Sequence, residues 1–460
     1  MISETVLQEL SRIVGPGHMK SLPEDLTDYS KDATKLQFMP DAVVFPGNAE
    51  EISQILVLAN RERFPVIPRG AGSGISGGAL PTKGGLVLTM DRFDRILAID
   101  QDNLITRVES GVITARLQEE VEKVGLFYPP DPASVKISSI GGNIAECAGG
   151  LRAVKYGVTR DYVLGLTVVL PTGEIIQTGV ETVKGVVGYD LTRLIVGSEG
   201  TLAVVTSVIL RLVPKPATQR TMLSFFPDVL SAVQAVSNII RNRIVPSVME
   251  FMDKLSIDCV REETGFPIPH ETGALLLIEV DGHENMVSQE AKRIQDTCTR
   301  SGATHFQASS GEEEAERLWE ARRNASPSMM RLRPNKVSED VVVPRTRLPE
   351  LVLFLGQLGE KYGIPIPAFG HAGDGNLHVN IMYDENVRQE KENVGAVVKD
   401  LFRKVINMGG TISGEHGIGI TKAPYLDMEI SGPSLDLMVR VKKAFDPNNI
   451  LNPGKIFGDL

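Results

Sequence analysis

Hydrophobic residues recur at two spacings along the chain, and these spacings predict a mixture of helices and strands. In MISETVLQELSRIVG the apolar residues Val6, Leu10, Ile13 and Val14 share one face of a predicted amphipathic helix. The next segments, DAVVFP, NAEEISQILVLANRERF and PVIP, predict strand, helix and strand, with Asn48 as a suitable helix N-cap. Further on, LGLTVVLPTGEIIQTG predicts a β-hairpin and GTLAVVTSVILRLVP a long strand.

The two prolines of VPKPAT interrupt this pattern and predict a domain boundary near residue 216. Beyond the boundary, TMLSFF, a helix over 229–241 and PSVMEFM form one strand–helix–strand unit. A second unit consists of ALLLIEVDG, a helix over 285–300 and THFQAS. Two such units in succession predict a ferredoxin-like layer of strands and helices.

The composition is typical of a globular protein and excludes several classes of function. The 460 residues are 42% hydrophobic and 23% charged, which predicts two or three domains. The formal net charge of -10 argues against nucleic-acid binding. The 3 cysteines are too few for a disulfide framework or a four-cysteine cluster, so we expect a cytoplasmic protein. Without a signal peptide or an apolar run of about 18 residues, no direct membrane span is expected.

Glycine is concentrated in three segments of the first half. PRGAGSGISGGA contains G-x-G-x-x-G at Gly72, Gly74 and Gly77, but a loop and a strand are predicted to follow it. The dinucleotide fingerprint, which needs a helix there, therefore does not apply. Glycines also let successive backbone N–H groups point into one concavity that binds an anion such as a diphosphate. IGGNIAECAGG is predicted to be a second glycine loop, and together with VGSEGTLAVVT the two loops predict a site for one extended nucleotide cofactor.

Two of the chain's 7 histidines lie in GHAGDGNLHVNI, residues 370–381. The turn-forming residues between them predict that the chain reverses, which brings His371 and His378 side by side. Strand alternation then places His378 and Asn380 on the same face of the second strand. Two imidazoles that converge in this way predict a divalent metal site.

A metal ion bound by two imidazoles needs at least one further ligand from the protein. TISGEHGIG supplies two adjacent candidates, Glu415 and His416, in a glycine-flanked turn. The residue types alone do not choose between them. Two nitrogen ligands and a carboxylate suit Zn, and also Mn, Fe or Co.

Taken in order, PRGAGSGISGGA, YPPDPAS, SSIGGNIAECAGGLRAVKYGVTRDYVLGL and VGSEGTLAVVT resemble the FAD-binding domain of the vanillyl-alcohol oxidase superfamily. The second half resembles the FAD-linked oxidase C-terminal domain. Within the superfamily the chain resembles the group of glycolate oxidase flavin subunits, D-lactate dehydrogenases and D-2-hydroxyglutarate dehydrogenases. The resemblance extends from about Asp41 to Phe457. It implies non-covalent FAD here, because no histidine lies between His18 and His270 and Cys147 is expected to be a buried thiol.

The resemblance also implies the fold class and the division into domains. We expect an α+β protein with a two-subdomain FAD-binding domain, a ferredoxin-like α+β substrate (cap) domain and a C-terminal helical segment that returns to the FAD domain. The expected bounds are 1–40 for an N-terminal helix and lead-in, 41–216 for the FAD-binding domain, 217–425 for the substrate domain and 426–460 for the C-terminal segment.

In the family, the first glycine-rich loop holds the FAD diphosphate and the other glycine-rich segments line the rest of the cofactor. Carried over to this chain, the implied cofactor-binding residues are Pro68, Arg69, Gly70, Ala71, Gly72, Ser73, Gly74, Gly77, Pro130, Asp131, Ser134, Gly141, Gly142, Asn143, Ala145, Gly149, Gly150, Tyr156, Gly157, Glu199, Gly200 and Val205. Lys455 is a further residue that we expect near the flavin.

The family's H-x-G-D-G-N-L-H motif and the glutamate of S-x-E-H-G-x-G hold a zinc or similar ion. This implies that His371, His378 and Glu415 are the metal ligands here. It leaves His416 as the general base that takes the proton of a substrate hydroxyl while hydride moves from C2 to flavin N5. We expect Asn380 to orient the substrate.

A substrate carboxylate also requires a cation. The arginine of the family's W-x-x-R falls on Arg322, whose planar guanidinium suits a carboxylate. The neighbouring Arg323 is expected to lie on a solvated helix face. Relatives use a lysine before the E-D-V-x-V-P strand, and Lys336 is the nearest match.

These features predict an FAD-dependent, metal-assisted dehydrogenase that oxidises a small 2-hydroxy acid, D-lactate or glycolate, to the 2-oxo acid. The alternatives are a D-2-hydroxyglutarate dehydrogenase, a non-redox flavin transferase of the alkyl-dihydroxyacetonephosphate synthase type and a flavin-holding interaction subunit. Electrons are expected to pass to a quinone or to another protein, an iron–sulfur subunit or an electron-transfer flavoprotein. Such a partner would hold the chain at the periphery of the inner membrane, and a homodimer is a further expectation.

Overall fold

The computed structural model describes residues 1–264 and 266–458, which form two compact units. Unit 1 comprises residues 1–149, 158–215 and 415 onward. Unit 2 comprises residues 150–157 and 216–414. Each unit therefore contains more than one stretch of the chain. Among the described residues, no helix combines the length and apolar character that a membrane span requires.

The strands, in chain order, are β1 (Met19–Lys20), β2 (Ala42–Val44), β3 (Val66–Arg69), β4 (Leu86–Thr89), β5 (Ile96–Asp100), β6 (Ile105–Glu109), β7 (Leu126–Phe127), β8 (Val163–Val169), β9 (Ile175–Gly179), β10 (Val204–Arg211), β11 (Val213–Pro214), β12 (Thr218–Phe226), β13 (Val248–Asp253), β14 (Ala274–Gly282), β15 (His305–Ala308), β16 (Asn335–Val342), β17 (Ala368–His371) and β18 (Asn376–Tyr383).

The α-helices are α1 (Glu4–Val14), α2 (Pro23–Leu26), α3 (Ala49–Glu62), α4 (Thr114–Glu122), α5 (Ile140–Glu146), α6 (Ala153–Tyr156), α7 (Leu191–Ile195), α8 (Val229–Arg241), α9 (Lys254–Val260), α10 (Glu284–Arg300), α11 (Glu312–Ser328), α12 (Leu348–Tyr362), α13 (Arg388–Asn407), α14 (Leu426–Glu429) and α15 (Gly432–Phe445).

Unit 1 is built on two main sheets. The first has the strand order β1-β2-β4-β3, and the second, antiparallel, has the order β5-β6-β10-β8-β9. The predicted hairpin around the turn at 172–173 is formed by β8 and β9. Helix α1 buries Val6, Leu10 and Val14 of the four predicted residues, and they pack with α3 into the core of the first sheet. Ile13 is only partly buried against the same core. Asn48 caps α3 through a bond from the Glu51 backbone N–H to its side-chain oxygen at 2.8 Å.

The segment IGGNIAE is a helix, α5, whereas the sequence predicts a glycine loop there. Ser139 is its N-cap and accepts the backbone N–H of Gly142 at 3.2 Å. The side-chain amide of Asn143 donates to the Thr114 hydroxyl at 2.7 Å, which fixes the helix to α4. The glycine-loop prediction is therefore wrong for these residues, because capping and tertiary bonds outweigh the low helix propensity of glycine.

Unit 2 contains a seven-stranded sheet of order β15-β12-β14-β13-β17-β18-β16. Its first four strands, with helices α8 and α10, have the ferredoxin-like arrangement predicted from the two strand–helix–strand units. The strands β17, β18 and β16 extend that layer at one edge. The α+β class is therefore confirmed.

The end of the chain belongs to unit 1. Helix α15 carries Lys442, a buried lysine whose ammonium donates to Thr201 O at 2.9 Å, to Leu451 O at 2.8 Å and to Asp446 Oδ2 at 2.6 Å. Beyond the helix, the backbone of Leu451 pairs with Val66 in β3. The C-terminal segment is thus part of the same unit as the glycine-rich loops.

Candidate functional site

A cleft in unit 1 is lined by all three glycine-rich segments that the sequence singled out. It also includes the two adjacent residues Glu415 and His416. Its lining is Pro68, Arg69, Gly70, Ala71, Gly72, Ser73, Gly74, Ile75, Gly78, Ala79, Met90, Pro132, Ala133, Ser134, Ser138, Ser139, Gly141, Gly142, Asn143, Ala145, Glu146, Ala148, Gly149, Ile195, Ser198, Glu199, Gly200, Ala203, Val204, Val205, Glu415 and His416.

Arg69 gives this cleft a buried positive charge. Its Nη2 donates to Lys31 O at 2.9 Å, but its Nη1 is buried without a hydrogen-bond partner among the described residues. Burial lowers the pKa of Arg69, and the carboxylates of Asp32 and Asp91 oppose that shift. A buried guanidinium nitrogen with an unused donor fits an anion such as a diphosphate. The predicted nucleotide cofactor therefore suits the residues that are present.

The glycines around the cleft serve two different purposes. Gly72 has φ +68°, which favours glycine, and a Cβ there would lie 2.1 Å from Arg69 Nη2 and would displace that guanidinium. Gly74 has open space where a side chain would be. A Cβ on Gly141, in contrast, would lie 2.7 Å from the Ser110 Cβ. Some of the glycines thus allow close internal packing and others leave room for a ligand.

Several residues predicted to bind the cofactor lie outside the lining of this cleft. They are Gly77, Pro130, Asp131, Gly150, Tyr156 and Gly157. Tyr156 belongs to unit 2, where its hydroxyl donates to Asp281 Oδ2 at 2.7 Å. Gly77 lies so close to Ile420 that a Cβ there would be 2.5 Å from its Cγ1. For these residues, as for those that line the cleft, a role in cofactor binding stays a prediction.

The loop that carries Glu415 and His416 is held by Glu199, which adopts a positive φ of +51°. Both carboxylate oxygens of Glu199 accept backbone N–H groups, from Ile418 at 2.7 Å and Gly419 at 2.6 Å. Burial raises the pKa of Glu199, and these bonds oppose the shift. Glu415 lies against Gly149, where an added Cβ would be 2.8 Å from its Oε2.

Lys455 is buried beside a backbone carbonyl in unit 1. Its ammonium donates to Leu80 O at 2.6 Å. Burial lowers the pKa of Lys455 to about 8, although the negative charge of Glu199 acts to raise it. It is outside the lining of the cleft, so its expected proximity to a flavin stays a prediction.

In unit 2, the histidine segment forms the expected strand–turn–strand, with β17 and β18 paired in antiparallel register. Gly375 in the turn has φ +91°, and a Cβ there would lie 2.1 Å from Val343 O. Glycine is therefore required at this position for both conformation and space.

The two imidazoles converge as the sequence predicts. The Nε2 atoms of His371 and His378 lie 3.4 Å apart, the rings are nearly perpendicular at 88°, and both side chains are buried. Two nitrogen ligands on a tetrahedral zinc ion, each about 2.0–2.1 Å from it, would be about 3.3–3.4 Å apart. The donor pair therefore fits a small divalent ion.

Sequence reasoning missed Glu250, which lies in β13 directly opposite His371. Its Oε1 is 2.5 Å from His371 Nδ1, and its Oε2 accepts the Nε–H of Arg322. Burial alone would raise the pKa of Glu250, but its electrostatic interactions and hydrogen bonds with His371 and Arg322 outweigh that effect and hold the pKa at about 2. An acidic residue in the middle of the apolar strand VMEFM was the signal available in the sequence.

One face of the unit 2 sheet gathers the predicted substrate-binding residues under helix α11. The Arg322 guanidinium lies over the ring of Phe369, with its carbon 4.3 Å from the ring centre. One turn of α11 after Arg322, the hydroxyl of Ser326 accepts a hydrogen bond from the ammonium of Lys336 at 2.7 Å. Because Phe369 pairs with His378 in the sheet, this face also carries the imidazole pair.

Asn380 and Asp340 are fully buried on the same face. The Asn380 oxygen accepts the Ser338 hydroxyl at 3.0 Å, and its amide donates to His378 O at 3.1 Å. Asp340 pairs with His378 in the sheet and accepts the backbone N–H of Gly414 at 2.7 Å through its Oδ2. The chain that leads to Glu415 is therefore anchored opposite His378.

Comparison with known proteins identifies related sequences over nearly the whole chain. Residues 40–179 match the model of the FAD binding domain, and residues 215–456 match that of the C-terminal domain of FAD linked oxidases. The glycolate oxidase subunit GlcD of Bacillus subtilis is 47% identical over 99% of this chain and 97% of its own length. A D-lactate dehydrogenase of Anaerostipes hadrus is 35% identical over 91% of this chain and 89% of its own. The structure of p-cresol methylhydroxylase has the same fold, with a TM-score of 0.81 at 18% identity over 99% of this chain and 96% of its own.

Proposed function

The chain belongs to the FAD-linked oxidases and is an FAD-dependent hydroxy acid oxidoreductase, and within that family we propose that it oxidises glycolate or D-lactate to the 2-oxo acid with the help of a divalent metal ion. The observation that carries the proposal is the buried pair His371 and His378, with Nε2 atoms 3.4 Å apart. The names of the two relatives described above support these two acids as substrates.

FAD, when bound, supplies the acceptor for the hydride that leaves C2 of the substrate. We assign its binding to the unit 1 cleft. Arg69 there offers an unused Nη1 donor to the diphosphate, and the glycine-rich segments leave room for the rest of the cofactor. The buried thiol of Cys147 is outside the lining of the cleft, which agrees with non-covalent attachment.

A divalent ion, when bound, supplies positive charge that lowers the pKa of the substrate hydroxyl. We assign it to His371 and His378 with Glu415 as the third ligand. Glu415 directly follows Gly414, which is anchored on Asp340. The donor set suits zinc, and also Mn, Fe or Co.

The remaining polar residues handle the substrate itself. Arg322 binds the substrate carboxylate through the N–H groups that Glu250 leaves unused, and Lys336 on the same face adds a second positive charge. His416 takes the proton of the hydroxyl as general base. Asn380 orients the substrate from the same face, and its amide also donates to His378 O.

The electrons must then leave the flavin for another molecule. The cysteines Cys147, Cys259 and Cys298 are all buried and unpaired, so the described residues offer no cluster of cysteine ligands for an iron–sulfur centre. We propose that a partner protein, an iron–sulfur subunit or an electron-transfer flavoprotein, is the acceptor. The word subunit in the name of the Bacillus subtilis relative supports a multi-subunit assembly.

The test is anaerobic titration of the FAD-loaded protein with glycolate, D-lactate, L-lactate and D-2-hydroxyglutarate. The proposal predicts that glycolate or D-lactate bleaches the flavin absorbance near 450 nm. Bleaching by D-2-hydroxyglutarate alone would identify the other dehydrogenase. If the protein holds FAD but none of these acids bleaches it, oxidation is refuted, and a flavin transferase or a non-catalytic subunit replaces it.

A further inference from the structure

Glu250 is a fully buried carboxylate that lies in the middle of the unit 2 sheet. Its two oxygens have different partners. Oε1 contacts His371 Nδ1 at 2.5 Å, and Oε2 accepts the Nε–H of Arg322. Burying a carboxylate costs free energy unless both oxygens have hydrogen-bond partners. Because the two oxygens of Glu250 have different partners, this one residue holds both His371 and Arg322.

The contact with His371 determines which ring nitrogen carries the proton. An ionised carboxylate only accepts hydrogen bonds, so Nδ1 of His371 must be the N–H donor. The other nitrogen, Nε2, then keeps its lone pair. Nε2 is the atom that faces His378 Nε2 at 3.4 Å. Glu250 therefore holds His371 in the tautomer and orientation that a metal ion requires.

The contact with Arg322 orients the second half of the site. The bond at Nε and the stacking on Phe369 fix the plane of the guanidinium, whose side chain is 14% exposed. The N–H groups of the two Nη nitrogens remain for a bound anion. Without Glu250, the guanidinium would gain rotamer freedom and would lose affinity for a planar carboxylate.

We infer that Glu250 is a positioning residue that couples metal affinity to the binding of the substrate carboxylate, because one carboxylate sets both His371 and Arg322. This inference rests on the proposed function, since it assigns those two residues their roles. It adds a residue that the sequence motifs did not indicate.

Replacement by glutamine separates this role from a purely structural one. A glutamine side chain has one acceptor oxygen and one donor nitrogen, whereas Glu250 accepts at both oxygens. If the amide oxygen faces Arg322, the NH₂ group meets Nδ1 of His371 and favours the tautomer in which Nε2 is protonated. If the oxygen faces His371, the NH₂ group opposes the Nε–H of Arg322. Glu250→Gln can therefore satisfy only one partner at a time.

Glu279→Gln is the matched control. Glu279 is another buried carboxylate, lies in β14 on the same face of the sheet, and accepts the Thr221 hydroxyl at 2.9 Å. It contacts neither His371 nor Arg322 in the described structure. The same substitution there replaces a buried carboxyl group without touching the imidazole pair.

The experiment measures the affinity of purified protein for Zn²⁺ by competition with a chelator, and the d–d absorption of the Co²⁺-loaded protein, both without turnover. We expect Glu250→Gln to bind the ion about 10–100-fold more weakly with an altered Co²⁺ spectrum, and Glu279→Gln to stay within twofold of the wild type. Zn²⁺ affinity of Glu250→Gln within twofold of the wild type would overturn the inference.

Steady-state kinetics test the second half of the coupling. At saturating Zn²⁺, Glu250→Gln should raise KM for the 2-hydroxy acid more than it lowers kcat, because Arg322 is misplaced. An unchanged KM would overturn the coupling. If Glu250→Gln does not fold, Glu250→Asp keeps the charge but is too short to reach both partners, and the same measurements apply. Failure of the wild type to reduce its flavin, with metal affinities as expected, would refute the proposed function and leave the role in metal positioning intact.

Discussion

At the level of single residues, the imidazole pair and His416 divide the proposed chemistry between metal binding and proton removal. His371 and His378 are buried and face each other, whereas His416 lines the unit 1 cleft next to Glu415. We therefore expect variants of the paired histidines and of His416 to differ in metal content.

Replacement of His378 by alanine should remove the metal ion. We expect less than a tenth of the wild-type metal content and a fall in kcat/KM of at least about 100-fold, since bound metal contributes several kcal/mol of charge stabilisation. Metal analysis and steady-state rates measure both quantities. His305→Ala is the control, because His305 stacks on Phe225 away from the pair. Full metal content in His378→Ala would show that the imidazole is no ligand.

Replacement of His416 by alanine should lower the rate but leave the metal ion bound. Loss of a general base lowers kcat by about 10²–10⁴, whereas the metal content should match that of the wild type. The decisive measurement is the rate of anaerobic flavin reduction at saturating substrate, followed by stopped flow. If the ion is lost together with the rate, His416 is a ligand and Glu415 has been assigned wrongly.

The sequence predicts the paired imidazoles well but not the residues that support them. His371 and His378 are separated by turn residues whose reversal is local, so a short motif is enough to place them together. Glu250 comes from a strand more than a hundred residues earlier and meets His371 only through the pairing of β13 with β17. Such a contact depends on the order of strands in the sheet, which a single sequence does not reveal.

At the level of elements, the β17–β18 hairpin requires glycine at its turn. Gly375→Ala should lower the free energy of unfolding by at least about 1–3 kcal/mol, because φ is +91° and the new Cβ would meet Val343 O at 2.1 Å. Metal affinity should fall as well, since the turn sets the spacing of the imidazoles. Chemical denaturation and Zn²⁺ competition check the two effects.

Gly356→Ala is the matched control for this substitution. Gly356 lies within helix α12 with open space around it, so alanine should stabilise the protein by about 0.5–1 kcal/mol. Equal stability changes in the two variants would mean that the conformation of Gly375 is not what holds the hairpin.

Prediction of secondary structure from the sequence fails where other contacts stabilise a helix that contains glycines. In α5, the Ser139 cap and the amide of Asn143 make a helix from a segment whose glycines favour a loop. The strands and helices with regular hydrophobic spacing, such as α1, α3 and the β8–β9 hairpin, needed no tertiary contact to be recognised.

At the level of the whole molecule, the chain crosses between its two units more than once. Residues 150–157 belong to unit 2, where Lys155 and Tyr156 bind the buried Asp281. This assignment could not be predicted from the sequence, because the segment lies between glycine-rich stretches of unit 1. Residues from Glu415 onward return to unit 1, where Lys455 is buried beside Leu80 O.

The return of the C-terminal segment makes stability depend on pH through Lys455. The pKa of Lys455 is about 8 in the folded protein, below its ordinary value of 10.5. Between these values the unfolded chain binds more protons, so this residue makes the free energy of unfolding rise with pH. The difference between wild type and Lys455→Met should grow by about 2 kcal/mol from pH 8 to pH 10 in urea denaturation. A difference that does not vary with pH would contradict the burial of an ionisable amine at this position.

The central claim is that a metal ion held by His371, His378 and Glu415 is needed for flavin reduction by a 2-hydroxy acid. The most direct measurement is anaerobic flavin bleaching by glycolate and D-lactate before chelation, after chelation and after Zn²⁺ is restored, with FAD content checked at each step. We predict that the chelated protein keeps its FAD but is reduced at least about 100-fold more slowly, and that Zn²⁺ restores the rate. Equal rates of bleaching with and without the ion would contradict the account.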